Sequence, residues 1–224
     1  MKPLLSRTED SSTLQDLGRA SFQIVHDLKN QLNGLKLYAT FLKKRLEKSE
    51  RPDDEQETIL KLIAGLDRAA ADLSTIVQYG REIELKKQPG FDLPKTLREI
   101  CASINESDSG MVCESKVTSL TGEFDPTKLT DAFRWISAVA LKHRGSSKDD
   151  GVVTMSVHPG TDANQAVVEW SGLRDLDHDP FRSFAGSDEI RMSLAKKIIE
   201  AHGGSATHTS NSLIVALPLA KGMD

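Results

Sequence analysis

Cysteine is nearly absent from this chain: Cys101 and Cys113 are the whole complement in 224 residues. Two thiols make neither a disulfide framework nor a clustered metal site, so a reduced, cytoplasmic protein is the expectation. Basic excess is absent too. The formal net charge of −4 argues against a nucleic-acid binder, which needs a basic balance or stripe. Long apolar runs are missing; the best, WISAVAL at 135–141, falls far short of the roughly 18 residues that span a bilayer, so no membrane is expected. The N-terminal MKPLLSRTEDSST turns acidic and polar too soon for a secretory signal. Internal repeats and low-complexity tracts are absent as well.

What remains has two textures. Between Leu14 and Leu46 apolar residues recur at helical spacing: Leu14, Leu17, Ile24, Val25, Leu28, Leu32, Leu35, Tyr38, Leu42 and Leu46. With Leu14, Leu28, Leu35 and Leu42 at heptad position a, Leu17, Ile24 and Tyr38 fall at d. Val25, Leu32 and Leu46 fall at e and widen the stripe, as in a bundle helix. KSERPDDEQ interrupts this, with Pro52 as a stop and Asp53 or Asp54 as N-cap. A second helix is predicted through Ile59, Leu62, Ile63, Leu66, Ala69, Ala70, Leu73, Ile76 and Val77. Each stripe is too wide for one partner helix, so the antiparallel hairpin is expected to close a four-helix bundle as a homodimer.

After KKQPG at 86–90 the pattern changes. β-like runs at 151–159, 165–170 and 211–219 alternate with helical stretches Leu93–Ile104, Leu129–His143 and Ser193–Ala201, and 145–151 reads as a loop. Strands and helices mixed in this way predict a two-layer α/β domain.

In the heptad frame His26 falls at f, opposite the a/d seam, with Asp27 beside it and Asn30 one turn on. No Cys or second His stands three or four positions away, so the spacing does not suit a metal. HDLKN at 26–30 resembles the phosphoacceptor box of two-component sensor histidine kinases, with Gln31 where that family often has proline. The likeness continues along the chain. GFDLPKTLREI at 90–100 is similar to the start of that family's ATP-binding domain, GEFDPTKLTDAFRWISAVALKH at 122–143 to its first ATP-site helix, and MSLAKKIIEAHGGSATHTSNSLIVALPL at 192–219 to its last helix and closing strands.

The resemblance implies an α+β chain: a hairpin domain over 1–85 forming a dimeric four-helix bundle, then a degenerate histidine-kinase-type (Bergerat) α/β sandwich over 90–224. The second domain departs from the family at three nucleotide motifs. Two Mg²⁺-holding asparagines align with Trp135 and Val139, which offer no oxygen. Where the adenine-recognising aspartate and its glycines should stand, the chain has Ser171 and Gly172, with Asp175 and Asp177 off register. The glycines of the phosphate turn align with Glu189 and Arg191; a side chain there blocks backbone approach, and a carboxylate repels phosphate. Trp135, Val139, Phe133 and Ile136 are expected to fill the site as core.

An intact phosphoacceptor helix with a damaged nucleotide site resembles the dimeric histidine phosphotransferases of bacterial phosphorelays. The resemblance implies phosphoryl exchange between His26 and the aspartate of a response-regulator receiver domain, without ATP. Asp27 would orient or deprotonate His26, and Asn30 would position a phosphoryl oxygen or a water. Lys29 and Asn33 would extend the docking surface. No cofactor is expected in this chain, Mg²⁺ coming with the receiver. His143 and His202 are expected to cap or pack. With only a short polar stretch before the first helix, any signal is expected to arrive through a partner or the second domain. Two alternatives stay open: a cytoplasmic histidine kinase with an atypical ATP site, and a non-catalytic dimeric module that binds a response regulator.

Overall fold

The computed structural model describes residue 25 and residues 28–44, 53–106, 110–145, 151–162, 164–174, 176, 178–182 and 186–219, with backbone alone for 53–56. Leu14, Leu17, Ile24, His26, Asp27, Leu46, Asp175, Asp177, the side chains of Asp53 and Asp54, and 146–150 of the expected loop lie outside that set. The chain divides into two compact units, Met1–Arg81 and Glu82–Asp224.

The first unit is helical. Helix α1 is described over 28–44, and α2 runs Asp53–Gly80. The ion pair between Lys36 Nζ and Asp67 Oδ1, at 2.5 Å, sets the middle of α1 beside the middle of α2, the arrangement of a helical hairpin. The side of α1 that is covered runs through Val25, Leu32, Lys36, Ala39 and Lys43, spaced close to whole turns, with Ala39 buried. The a and d residues Leu28, Leu35, Tyr38 and Leu42 stay exposed, Tyr38 by 66% and Leu35 by 53%. Leu60 and Leu62 of α2 are exposed as well. The partner within the chain thus covers the e side of the stripe and leaves its a/d side bare.

The second unit is a two-layer sandwich. Strand β1 (Gln88–Asp92) pairs antiparallel with β3 (Thr121–Phe124) as a separate ribbon. A five-stranded mixed sheet has the order β2-β4-β5-β7-β6, from β2 (Met111–Ser115), β4 (Val153–Pro159), β5 (Gln165–Ser171), β6 (Ser205–His208) and β7 (Ser212–Pro218). Only β2–β4 is parallel. Period-two alternation turns Val153, Met155 and Val157, then Ala166, Val168 and Trp170, then Leu213, Val215 and Leu217 into the core.

Helices α3 (Leu93–Asn105), α4 (Pro126–Lys142) and α5 (Ser187–Ala201) complete the unit. Asp92 and Asp125 cap α3 and α4 through the amides of Lys95 and Lys128, and each helix has proline in its first positions, where no amide partner is needed. Leu129, Ala132, Phe133, Ile136 and Ala140 form the buried stripe of α4. The Phe133 ring lies 5.8 Å from the buried Trp170 ring, whose indole N–H donates to Ser137 Oγ at 2.8 Å. His143 and His202 are the C-cap residues of α4 and α5.

Candidate functional site

Two places in the fold bear on the chemistry anticipated from the sequence: the outer side of α1 and the space where α4 meets the start of α5. His26 and Asp27 lie outside the described residues. Asn30 and Asn33, four and seven positions later, are exposed. Lys29, expected to extend the exposed surface, is half-buried instead. Its position falls between the outer side and the covered line through Val25, Leu32 and Lys36, so its stem shares in the packing.

Two further exposed residues belong to the outer side. Leu37, four positions after Asn33, returns to within about 40° of it around the helix, and Phe41 to within about 80°. Both are more than half exposed. The sequence carried a signal for them, since they fall at c and g, off the a/d/e stripe, where a bundle helix has no internal use for apolar side chains.

On α4 the two positions aligned with Mg²⁺-holding asparagines hold a buried Val139 and a half-buried Trp135. The expectation that Trp135 fills the site as core needs correction. Phe133, Ile136 and Val139 are buried, but Trp135 sits at the margin of the buried stripe and is only half-buried.

The first turn of α5 carries Asp188 and Glu189. Lys142, in the last turn of α4, is ion-paired with Asp188, and Arg191 Nη1 lies 3.8 Å from the other oxygen of that carboxylate. Glu189 folds back over the N-cap: a Cβ built on Gly186 would stand 2.8 Å from Glu189 Oε2. Two carboxylates therefore occupy the positive end of α5, the end that would otherwise attract an anion.

At the end of β5, Ser171 Oγ donates to Thr154 O at 3.4 Å. Gly172 has φ +84°, and a Cβ there would meet Val152 O at 2.6 Å. That glycine serves a tight backbone passage. Among the described residues no group of three His, Cys, Asp or Glu side chains could hold a metal ion. The two α4 positions thus offer a Mg²⁺-nucleotide no oxygen ligands, and the first turn of α5 carries two carboxylates, of which Asp188 is ion-paired with Lys142.

No protein-family model matches the sequence, and no curated protein matches it. Solved structures do. Full-length ShkA in complex with AMPPNP superposes with a TM-score of 0.72 at 14% identity, over 89% of this chain and 45% of that one. The Acinetobacter baumannii histidine kinase AdeS gives a TM-score of 0.57 at 14% identity, over 86% of this chain and 97% of that one. This chain spans less than half the length of ShkA. The fold is histidine-kinase-like. No helix among the described residues is long and apolar enough to cross a membrane.

Proposed function

We propose that this chain is a histidine-kinase-like phosphotransfer protein that exchanges a phosphoryl group between His26 and the aspartate of a response-regulator receiver domain, without ATP. The neutral imidazole attacks phosphorus in line; the N–P bond forms as the bond to the aspartyl oxygen breaks and the carboxylate leaves. Asp27 orients the ring or accepts its proton, and Asn30 positions a phosphoryl oxygen or a water. Mg²⁺ comes with the receiver. The hairpin unit acts as a homodimer, the bare a/d side of α1 closing a four-helix bundle with its copy. Receivers dock on the outer side, across Lys29 and Asn33, with Leu37 and Phe41 as the apolar part of the footprint.

The observation that supports the nucleotide-free reading is the first turn of α5, which carries Asp188 and Glu189 where the family resemblance puts a phosphate turn. The comparisons favour a second reading, because the solved structures that resemble this chain include histidine kinases: an autokinase with an atypical nucleotide site. Likeness at 14% identity speaks to the fold, and the side chains speak to the chemistry. A third reading, a module that binds a regulator without chemistry, shares the hairpin but not the need for His26.

One experiment separates them. Purified protein and a His26→Gln variant are given Mg²⁺ with [γ-³²P]ATP, or a receiver already phosphorylated on aspartate. The proposal expects no label from ATP, and His26-dependent label from the receiver. Label from ATP that requires His26 establishes the kinase. Receiver capture without transfer of label, unchanged in the variant, establishes the binding module.

A further inference from the structure

His202, which the phosphotransfer reading does not use, is 3% exposed, beside an equally enclosed aspartate. Its two ring nitrogens have distinct partners. Nδ1 lies 2.8 Å from Ile198 O, one turn back on α5, and a carbonyl can only accept, so Nδ1 carries the hydrogen. Nε2 is then the acceptor, and it takes the backbone N–H of Asp125 at 3.0 Å. Asp125 in turn accepts from two amides: Lys128 N–H at Oδ1, 3.0 Å, which caps α4, and Lys86 N–H at Oδ2, 2.8 Å, from the segment leading into β1. One neutral imidazole and one carboxylate therefore join the C-terminus of α5, the N-terminus of α4 and the segment before β1.

We propose that His202 is a proton-operated latch within the second unit: neutral, it fastens these three elements; protonated, it releases them. An imidazolium has no acceptor to offer the Asp125 amide, so two N–H groups would face each other in a buried place. The new Nε2–H also attracts the Asp125 carboxylate, drawing it from the amides of Lys86 and Lys128. The charged groups facing the ring are Asp125 and Lys128 from α4 and Lys87 from the lead into β1, while the Phe124 ring packs 5.8 Å away. Burial holds His202 below its usual value, against the opposing pull of the Ile198 carbonyl. The latch is therefore closed at neutral pH and opens as the solution is acidified below the ordinary imidazole range.

The test is NMR on the ¹⁵N-labelled full chain, titrated from pH 8 to pH 5, together with amide-exchange protection at Lys86, Asp125 and Lys128. The expected result is the Nδ1–H tautomer, a midpoint below about 6.5, and a fall in protection of at least about tenfold at all three amides as His202 protonates. The Nε2–H tautomer, a midpoint at or above the ordinary value, or protection that ignores the titration overturns the proposal. A His202→Gln variant, which keeps an acceptor but cannot titrate, should lose the pH dependence; its persistence there also overturns the latch. Should that variant not fold, the titration of the unaltered protein decides. None of these readouts involves His26, so the latch stands or falls apart from phosphotransfer.

Discussion

Glycine at 172 and glycine at 90 look alike in sequence and differ in what they permit. Both hold positive φ, +84° and +77°. Around Gly90 a Cβ would meet nothing within 4 Å, whereas at Gly172 it would meet Val152 O at 2.6 Å. Gly90→Ala should therefore cost only the left-handed backbone penalty, about 1–2 kcal/mol. Gly172→Ala should cost that plus a steric term against backbone that cannot yield, about 3 kcal/mol or more. Urea midpoints of the two variants measure the difference, and equal losses would refute the crowding at Gly172. Such a contrast also bears on the position that the resemblance aligns with the adenine site, since Gly172 serves the passage of its own backbone past Val152.

Helix α1 is asked to serve two surfaces, and its side chains divide accordingly. The a/d residues Leu28, Leu35, Tyr38 and Leu42 are bare against the hairpin's own α2, and Leu37 and Phe41 are bare on the outer side. In the proposed homodimer, Leu35→Glu should convert dimer to monomer. Burying one leucine is worth about 1.5–3 kcal/mol, a symmetric interface counts it twice, and the carboxylate adds a desolvation cost. Sedimentation at micromolar concentration reads this, and an unchanged dimer would place the interface elsewhere. Leu37→Ala with Phe41→Ala should leave the dimer intact and slow transfer from a phosphorylated receiver about tenfold or more, through weaker docking. Loss of dimer in that double variant would reassign the two residues to the bundle. The Lys36–Asp67 pair, half in solvent, is worth at most about 1 kcal/mol and does not hold the hairpin.

Over the whole molecule, two compact units should unfold in two transitions. If, as proposed, a second copy covers the hairpin, its transition should rise with protein concentration, and the sandwich transition should not. Acid should act on the sandwich in two steps. The depressed His202 contributes stability that is full above the unfolded imidazole value near 6.5 and is lost as pH falls from there toward its folded value. Asp125 follows: burial raises it, but the Lys128 and Lys86 amides outweigh that and hold it low. Its share is present above the ordinary carboxylate value and disappears as pH falls through the lowered one. Denaturant midpoints across pH 3–8 check both, and a sandwich midpoint flat between pH 5 and 7 would contradict the first step.

The helices were legible because their causes are local. Period 3.6 marked α1 and α2, and α3 was read from Leu93, where it starts, whereas α4 was read from Leu129, three residues after its first residue Pro126. The inner strands β4, β5 and β7 were legible through period two. Strands β2, β3 and β6 were not, since four or five residues with two or three inward positions make no pattern until a neighbour supplies the hydrogen bonds. The start of α5 was placed six residues late, at Ser193, because its first turn is polar and its cap is a glycine with no side chain to signal it. HDLKN, the carboxylate at 189 and the replaced asparagines could be read from the chain alone, because residue type by itself decides whether a group can ligate, attract or repel. Which side of α1 is covered within the chain, that Trp135 is only half-buried, and that His202 grips Asp125 from 77 positions away are facts of packing. They join residues that share no sequence neighbourhood, so only the folded chain could decide them.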